Sequence, residues 1–511
     1  MFNVTQSIAN ARSFSADPCE VDIVGHPNHC VPGKDGKHYA GFGLVPSIVA
    51  VPAVVGGRLF ARLAHLNAQS AMRLSVSIIT AVISPLVPVV FALWLVRLGY
   101  SRVTAVLSAG IVAFASPFWH YAVKGFYSEP YFTLGLVVAG YLASSSDLSF
   151  SSALSGLAFG AACGCRVIGI IMLPAFVLFL FLNNKERRRP GRRRLLDIVM
   201  FLSSFSVCAG LMAWSNYARF GDATKTGYQL AYPSISALLA TPLFQGMGQL
   251  LFNQEVGLLV FVPWAVLVLM GFSSFFHQHR AEAVLCGSLF VVNFFFFAKY
   301  ASWHGGMVAG PRFLVPMVPF LLMCLVPQVE WLRNANRIAN RRRLFVALAA
   351  GLLVGAAFLI QVFGTVYPES RYYVLTRFYE EKPNKPWWTG SIPLASGDFL
   401  WKVGRQGGAN EKRAIAVDSD FASVSRQEEA AFASMATVTD EQQFLRSFPN
   451  SMNFILPDLF LAKIRALGLP PFAFWGYLAL SAVICLFGVL GTRMQNKAAV
   501  PQTKLPEVKC A

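Results

Sequence analysis

The chain has 511 residues, of which 55% are hydrophobic, 14% aromatic and 13% charged, and its formal net charge is +18. Several apolar runs approach or exceed the roughly 18 residues needed to cross a bilayer, so the chain reads as a polytopic membrane protein. The excess positive charge would suit nucleic acid, but its placement speaks against that partner. Seven basic residues stand in Lys185–Arg194, five in Arg333–Arg343 and four beyond Leu490, each cluster beside an apolar segment. That is the positive-inside pattern of cytoplasmic loops. Nine cysteines in a chain this long make no disulfide framework. Most lie in apolar segments, where thiols pack as small hydrophobes. Cys19 and Cys30 lie in a polar region where a disulfide is permitted. His26, His29 and Cys30 form a weak ligand pattern, and no structural metal is expected from them.

In chain order, residues 1–70 read as an extracytoplasmic loop with a membrane-associated helix over the 42–64 run. Met1–Pro18 lacks the apolar core of a signal peptide. Nothing in front of residues 1–70 therefore carries them outward, so either a first helix ahead of this start or an unusual use of the 42–64 run is expected, the former being favoured. Apolar runs follow near 71–97, 103–122, 130–147, 152–164, 167–183, 196–215, 256–272, 282–299, 313–330, 344–364 and 471–491. With every basic cluster on the cytoplasmic side, the runs alternate without conflict. Residues 152–183 must then form two short helices meeting outside near Cys165-Arg166, and 216–255 form an outer loop. The expected fold is an all-α polytopic membrane protein with about 11 transmembrane helices, counted by bilayer-length runs. Residues 71–364 form its transmembrane core, 365–470 a small extracytoplasmic domain, and 471–511 a last helix with a basic cytoplasmic tail.

This topology gathers ionisable residues on the outer face. Six of the eight histidines fall there, with Asp17, Glu20, Asp22, Asp35, Glu129, Arg166, Lys299 and Arg312. Ionisable side chains at membrane depth are costly and mark function by default. Glu129 at a helix mouth also has a simpler reading as a partner of the helix dipole, and Arg166 as a snorkelling anchor. The densest stretch runs from Lys299 to Pro319, KYASWHGGMVAGPRFLVPMVP, between two apolar runs. A connecting loop needs only turn residues, yet this one holds Lys299, Trp303, His304 and Arg312 among glycines. Glycine admits close approach of a ligand to the backbone, and Arg and Lys hold phosphate.

Four stretches, in order, resemble the bacterial membrane glycosyltransferases of the GT-C fold, relatives of the dolichol-phosphate-mannose and polyprenyl-phosphate-sugar transferases. Asp35–Pro52, DGKHYAGFGLVPSIVAVP, is similar to the family's "DGKYYS…PG-S-LLA-P" run. Phe126–Pro130, FYSEP, looks like its "FSEP". The stretch from Ser155 through Arg166 to Pro174 resembles "GLLLGLA…R…P". Trp303–Pro319 is the closest match, to "W-GG…GPR-L…P". Residues 365–470 have no counterpart.

The resemblance implies a GT-C-like core and transfer of a sugar from a polyprenyl-phosphate donor to an envelope glycan, lipid or protein acceptor. It places the reaction on the extracytoplasmic face of the bacterial plasma membrane. The inverting reaction needs a carboxylate base, for which Asp35, Asp22 and Glu129 are the candidates. The leaving polyprenyl phosphate needs positive charge, from Arg166, Lys299 and Arg312 or from a divalent cation such as Mg or Mn. Trp303 and His304 would line the sugar or head-group site. Glu129 also reads as a metal ligand or a positioner. Two departures stand out. The family's usual catalytic Asp belongs to a loop whose start is absent here. Where relatives show "SPGKGL", this chain has NQEVGL, with Glu255 in place of a cation. The rival readings are a transporter or flippase of lipid-linked sugars and an inactive glycosyltransferase-like assembly partner. A transporter should show repeated helices and mid-membrane charges. No repeat is visible, and the charges cluster at the outer interface.

Overall fold

The computed structural model describes residues 1–16, 30–65, 68–123, 125–145, 150–186, 190–232, 234–306, 308–334, 341–366, 372, 375–376 and 391–395. Asp17, Cys19, Glu20, Asp22, His26, His29 and the 471–491 run lie outside them. The described chain is helical apart from one antiparallel hairpin, in which Cys30–Pro32 pairs with His38–Ala40. Cys30 is disulfide-bonded.

The protein is an all-α membrane protein. Among the described residues six helices are long and apolar enough to cross a bilayer: Val45–Leu63, Ala71–Arg97, Gly191–Phe220, Ile235–Phe252, Arg280–Lys299 and Arg343–Thr365. A seventh arises if Val315–Met323 and Val326–Arg333, bent by 50° at their junction, count as one span. Arg102–Phe114, Ser151–Cys165 and Val167–Asn183 are shorter apolar helices.

Proline and glycine set most of the breaks. Pro85 interrupts the first long run, so that Ala68–Ile83 and Leu86–Arg97 are separate helices. Pro117 follows Phe114 and splits Phe118–Val123 from its predecessor. The expected helical pair over 152–183 is present as Ser151–Cys165, a 3₁₀ turn at Val167–Met172, and Leu173–Glu186, with Arg166 at the joint. Two segments depart from the sequence reading. Val45–Val49 and Val51–Leu63, started by Pro46 and Pro52, add up to a span-length run inside residues 1–70. Ile235–Leu238 and Leu243–Phe252 do the same inside the stretch read as an outer loop. There the Thr241-Pro242 break interrupts the apolar run, which hid it from a count of consecutive hydrophobic residues.

The Ser151–Cys165 helix lies at the centre of the first half, packed between Ser128–Ala143 and Gly191–Phe220. Gly156 and Gly160 face Phe201 and Cys208 with no room for a side chain. Small residues of this kind bring membrane helices to backbone contact, where packing rather than water exclusion holds them. Phe159, Phe176, Phe201 and Phe205 fill the space around the contact. Because this packing is tight, the ends of the three helices, including Glu129 and Arg166, have fixed relative positions.

Candidate active site

Glu129 sits in the first turn of the Ser128–Ala143 helix, where an acid complements the helix dipole. Tyr127 before it is extended, and Pro130 after it occupies the first turn, where no N–H is needed. Arg166 is the joint residue after Cys165. Its backbone is extended, its N–H donates to Ala162 O at 3.1 Å, and its carbonyl accepts from Gly169 at 2.8 Å. Arg312 follows Gly310-Pro311 in the loop after the Arg280–Lys299 helix. Gly310 has φ +83°, a conformation open to glycine, and its N–H donates to Glu255 O at 2.8 Å. Two further bonds pin this loop. The Tyr121 hydroxyl donates to Ala309 O at 3.1 Å, and the buried Asn293 amide donates to Phe313 O at 2.8 Å.

These three elements converge. Arg312 Nε donates to Glu129 Oε1 at 2.6 Å, and Arg166 Nη1 lies 3.5 Å from the same oxygen. The Glu129 side chain is fully buried, and the Arg166 side chain is 5% exposed. Arg312 Nη1 donates to Gly305 O at 2.8 Å, and its guanidinium lies 5.7 Å from the centre of the Tyr127 ring. Gly305 has φ +79°, and a Cβ there would stand 3.1 Å from Arg312 Cβ, so both backbone and space require glycine. Burial alone would lower the Arg312 pKa, but the Glu129 carboxylate against it more than reverses that and holds the guanidinium charged.

The charges do not cancel. One carboxylate faces two guanidinium groups, leaving one excess positive charge in a buried setting. Arg166 is the less engaged of the two. Among the described residues its guanidinium makes no hydrogen bond, only the ion pair to Glu129. It packs instead on Phe313, Phe297 and Phe132, at 5.1, 5.8 and 6.0 Å from their ring centres. Phe297 and Phe313 are stacked at 4.1 Å, forming a flat apolar support beneath the cation. A buried cation with open N–H donors on an aromatic floor is arranged to receive an anion.

The other candidates fall elsewhere. Lys299 ends its helix half-buried, with no ion pair among the described residues. Trp303 and His304 share the loop of Arg312. His304 is exposed, its Nδ1 accepts from Gly306 N–H at 3.1 Å, and its ring meets Trp303 edge to face. Asp35 stands at the tip of the hairpin turn and is held within it. Tyr39 Oη donates to it at 2.9 Å, Lys37 N–H at 3.2 Å, and Lys37 Nζ lies 3.6 Å away. Desolvation raises its pKa, but these bonds and the Lys37 charge together outweigh it and hold the carboxyl below its usual range. Among the described residues no contact joins Asp35 to Glu129, Arg166 or Arg312, and Asp22 lies outside them. The same residues contain no group of three or more His, Cys, Asp and Glu side chains suited to a metal. Glu129 is already shared by two arginines, a setting that disfavours a cation there.

Sequence reading missed Tyr127, Phe297 and Phe313. Tyr127 was within reach, one residue from Ser128-Glu129. Phe297 belongs to a run of four phenylalanines in which no periodicity separates site from lipid face.

No protein-family model matches the chain, and no curated protein sequence does. Solved structures similar to it include the following three. The Archaeoglobus fulgidus oligosaccharyltransferase in complex with Zn and sulfate is 16% identical, over 75% of this chain and 51% of that one, with a TM-score of 0.46. ArnT from Cupriavidus metallidurans in the apo state is 13% identical, over 91% and 71%, with a TM-score of 0.41. The archaeal oligosaccharyltransferase AglB from Archaeoglobus fulgidus, in complex with an inhibitory peptide and a dolichol-phosphate, is 12% identical, over 78% and 54%, with a TM-score of 0.42. The chain spans about half the length of the two oligosaccharyltransferases.

Proposed function

We propose that the protein is an integral membrane glycosyltransferase of the GT-C type. It moves a sugar from a polyprenyl-phosphate donor to an envelope glycan, lipid or protein acceptor on the extracytoplasmic face of a bacterial plasma membrane. The observation that carries this reading is the buried Glu129–Arg312–Arg166 cluster with its one unbalanced positive charge. A lipid phosphate supplies the missing negative charge, and the ends of apolar helices suit a ligand whose chain stays in the bilayer.

In the reaction the acceptor oxygen forms a bond to the sugar's anomeric carbon while the bond from that carbon to the phosphate oxygen breaks. The bonding pair leaves with the phosphate, and the acceptor's proton passes to a carboxylate base. Arg166 and Arg312 meet the phosphate as its charge grows, which stabilises the transition state more than the ground state. Glu129 acts here as the positioner. Its carboxylate is buried and already receives the Arg312 N–H, so it sets both guanidinium groups rather than taking the acceptor's proton. Asp35 and Asp22 are then the proposed bases. Arg166 and Arg312 supply the positive charge in this scheme, and a divalent cation would enter only as a further ligand of the phosphate.

The test is binding of a polyprenyl phosphate to the full chain in lipid nanodiscs, with the uncharged polyprenol as control. The phosphate should bind more tightly, and Arg166→Ala should abolish the difference. Equal binding of phosphate and alcohol to the unaltered protein would contradict the reading.

A further inference from the structure

The chain beyond the last described long helix returns to the site. Tyr372 is fully buried, and its hydroxyl donates to Glu255 Oε1 at 2.6 Å. Leu375, Ile392 and Ala395 are buried in the same core. Glu255 is itself fixed in a turn, since Asn253 Oδ1 accepts from the N–H groups of Glu255 and Val256 at 2.8 and 3.2 Å. Its carbonyl accepts the Gly310 N–H, two residues before Arg312. One residue therefore binds the returning segment through its side chain and the Arg312 turn through its backbone.

We infer that Tyr372 and Glu255 form a latch that holds the Gly310-Pro311-Arg312 turn, making Tyr372 a positioning residue for Arg312. A neutral hydroxyl donating to a carboxylate makes a strong, short hydrogen bond. The bond fixes the 253–257 turn against the core, and that turn fixes Gly310. The position where the resembling family carries a phosphate-binding cation thus holds a carboxylate with a structural use. The consequence for sugar transfer rests on the function proposed above, whereas the mechanical coupling does not.

Hydrogen exchange on the full chain in nanodiscs separates the two. In Tyr372→Phe, amides in 308–315 should exchange roughly tenfold faster or more, as expected for loss of a hydrogen bond to a charged group. Amides of Ser151–Cys165 should keep the rate of the unaltered protein. Glu255→Gln retains an oxygen that accepts from Tyr372 and should stay near the unaltered protein, while Glu255→Leu should match Tyr372→Phe. Unchanged exchange in 308–315 for Tyr372→Phe would overturn the latch. So would an equal rise across the core helices, which marks the hydroxyl as a packing group alone. An unaltered protein that transfers no sugar would count against the proposed function and leave the exchange result standing.

Discussion

Arg312 Nε and Arg166 Nη1 approach the same oxygen of Glu129, at 2.6 and 3.5 Å. One carboxylate thus sets the position of two cations from different parts of the chain. The unequal distances divide their work. Arg312 is bound on one side by Glu129 and on the other by Gly305 O, whereas Arg166 keeps its donors open. The predictions below follow from that division.

Arg312→Ala should lower sugar transfer by about 10²–10³-fold, the usual loss when one preorganised donor to a developing charge is removed. The protein should still insert into the membrane. Arg312→Lys should recover little, because an ammonium cannot reach Glu129 and Gly305 with two fixed donors. Transfer kinetics on matched amounts of membrane protein check both. Near-normal turnover in Arg312→Ala would remove this residue from the site.

Arg166→Ala should weaken binding of a polyprenyl phosphate by about tenfold or more, since hydrogen bonds to charged groups contribute roughly 1.5–3 kcal/mol. Stability should change less than in Glu129→Gln, because the variant leaves the Glu129–Arg312 pair balanced. Thermal unfolding in detergent, run beside the binding measurement, reads the two effects separately.

Glu129→Gln should cost stability as well as transfer. It leaves two guanidinium groups close together with no counter-charge, and breaking a buried ion pair on one side costs about 3–5 kcal/mol. Adding Arg166→Gln should restore part of the stability and none of the transfer. A Glu129→Gln protein as stable as the unaltered one would show that the carboxylate does not hold the two guanidinium groups together.

Gly305→Ala should reduce transfer more than Gly306→Ala. Both residues have positive φ, and each substitution meets strain of about 1–3 kcal/mol. Only at Gly305 does the new methyl also press on the Arg312 side chain, at 3.1 Å, whereas at Gly306 the nearest atom is 3.8 Å away. Equal losses would mean that backbone strain alone is felt.

Much of the helical order was legible in the sequence, because bilayer-length apolar runs and prolines leave strong marks. Arg166 at the joint of a short helical pair is one case, readable from the need to cross twice within 152–183. Spans broken by proline, such as Ile235–Phe252, were not readable from run length. Glu129, Arg166 and Arg312 were each visible as expensive charges at helix ends. Their meeting at one oxygen was not, since Glu129 and Arg312 are separated by 183 positions and the Arg312 loop is held by bonds from Tyr121, Glu255 and Asn293 in other parts of the chain. Asp35 shows the opposite limit. Its Asp-Gly pair suited either a base or a turn, and Tyr39 four residues on supplies the bond that ties it into its turn. Tyr372 falls in a region without any pattern, and its bond to Glu255 spans 117 positions.

The most direct test of the central claim is sugar transfer by the full chain reconstituted in lipid, offered a panel of polyprenyl-phosphate sugars and envelope acceptors. The account predicts a glycosylated acceptor and free polyprenyl phosphate in equal amounts from the unaltered protein, and about 10²–10³-fold less of both from Arg312→Ala. Movement of lipid-linked sugars across the vesicle membrane, without transfer from any donor, would contradict it and establish a transporter instead.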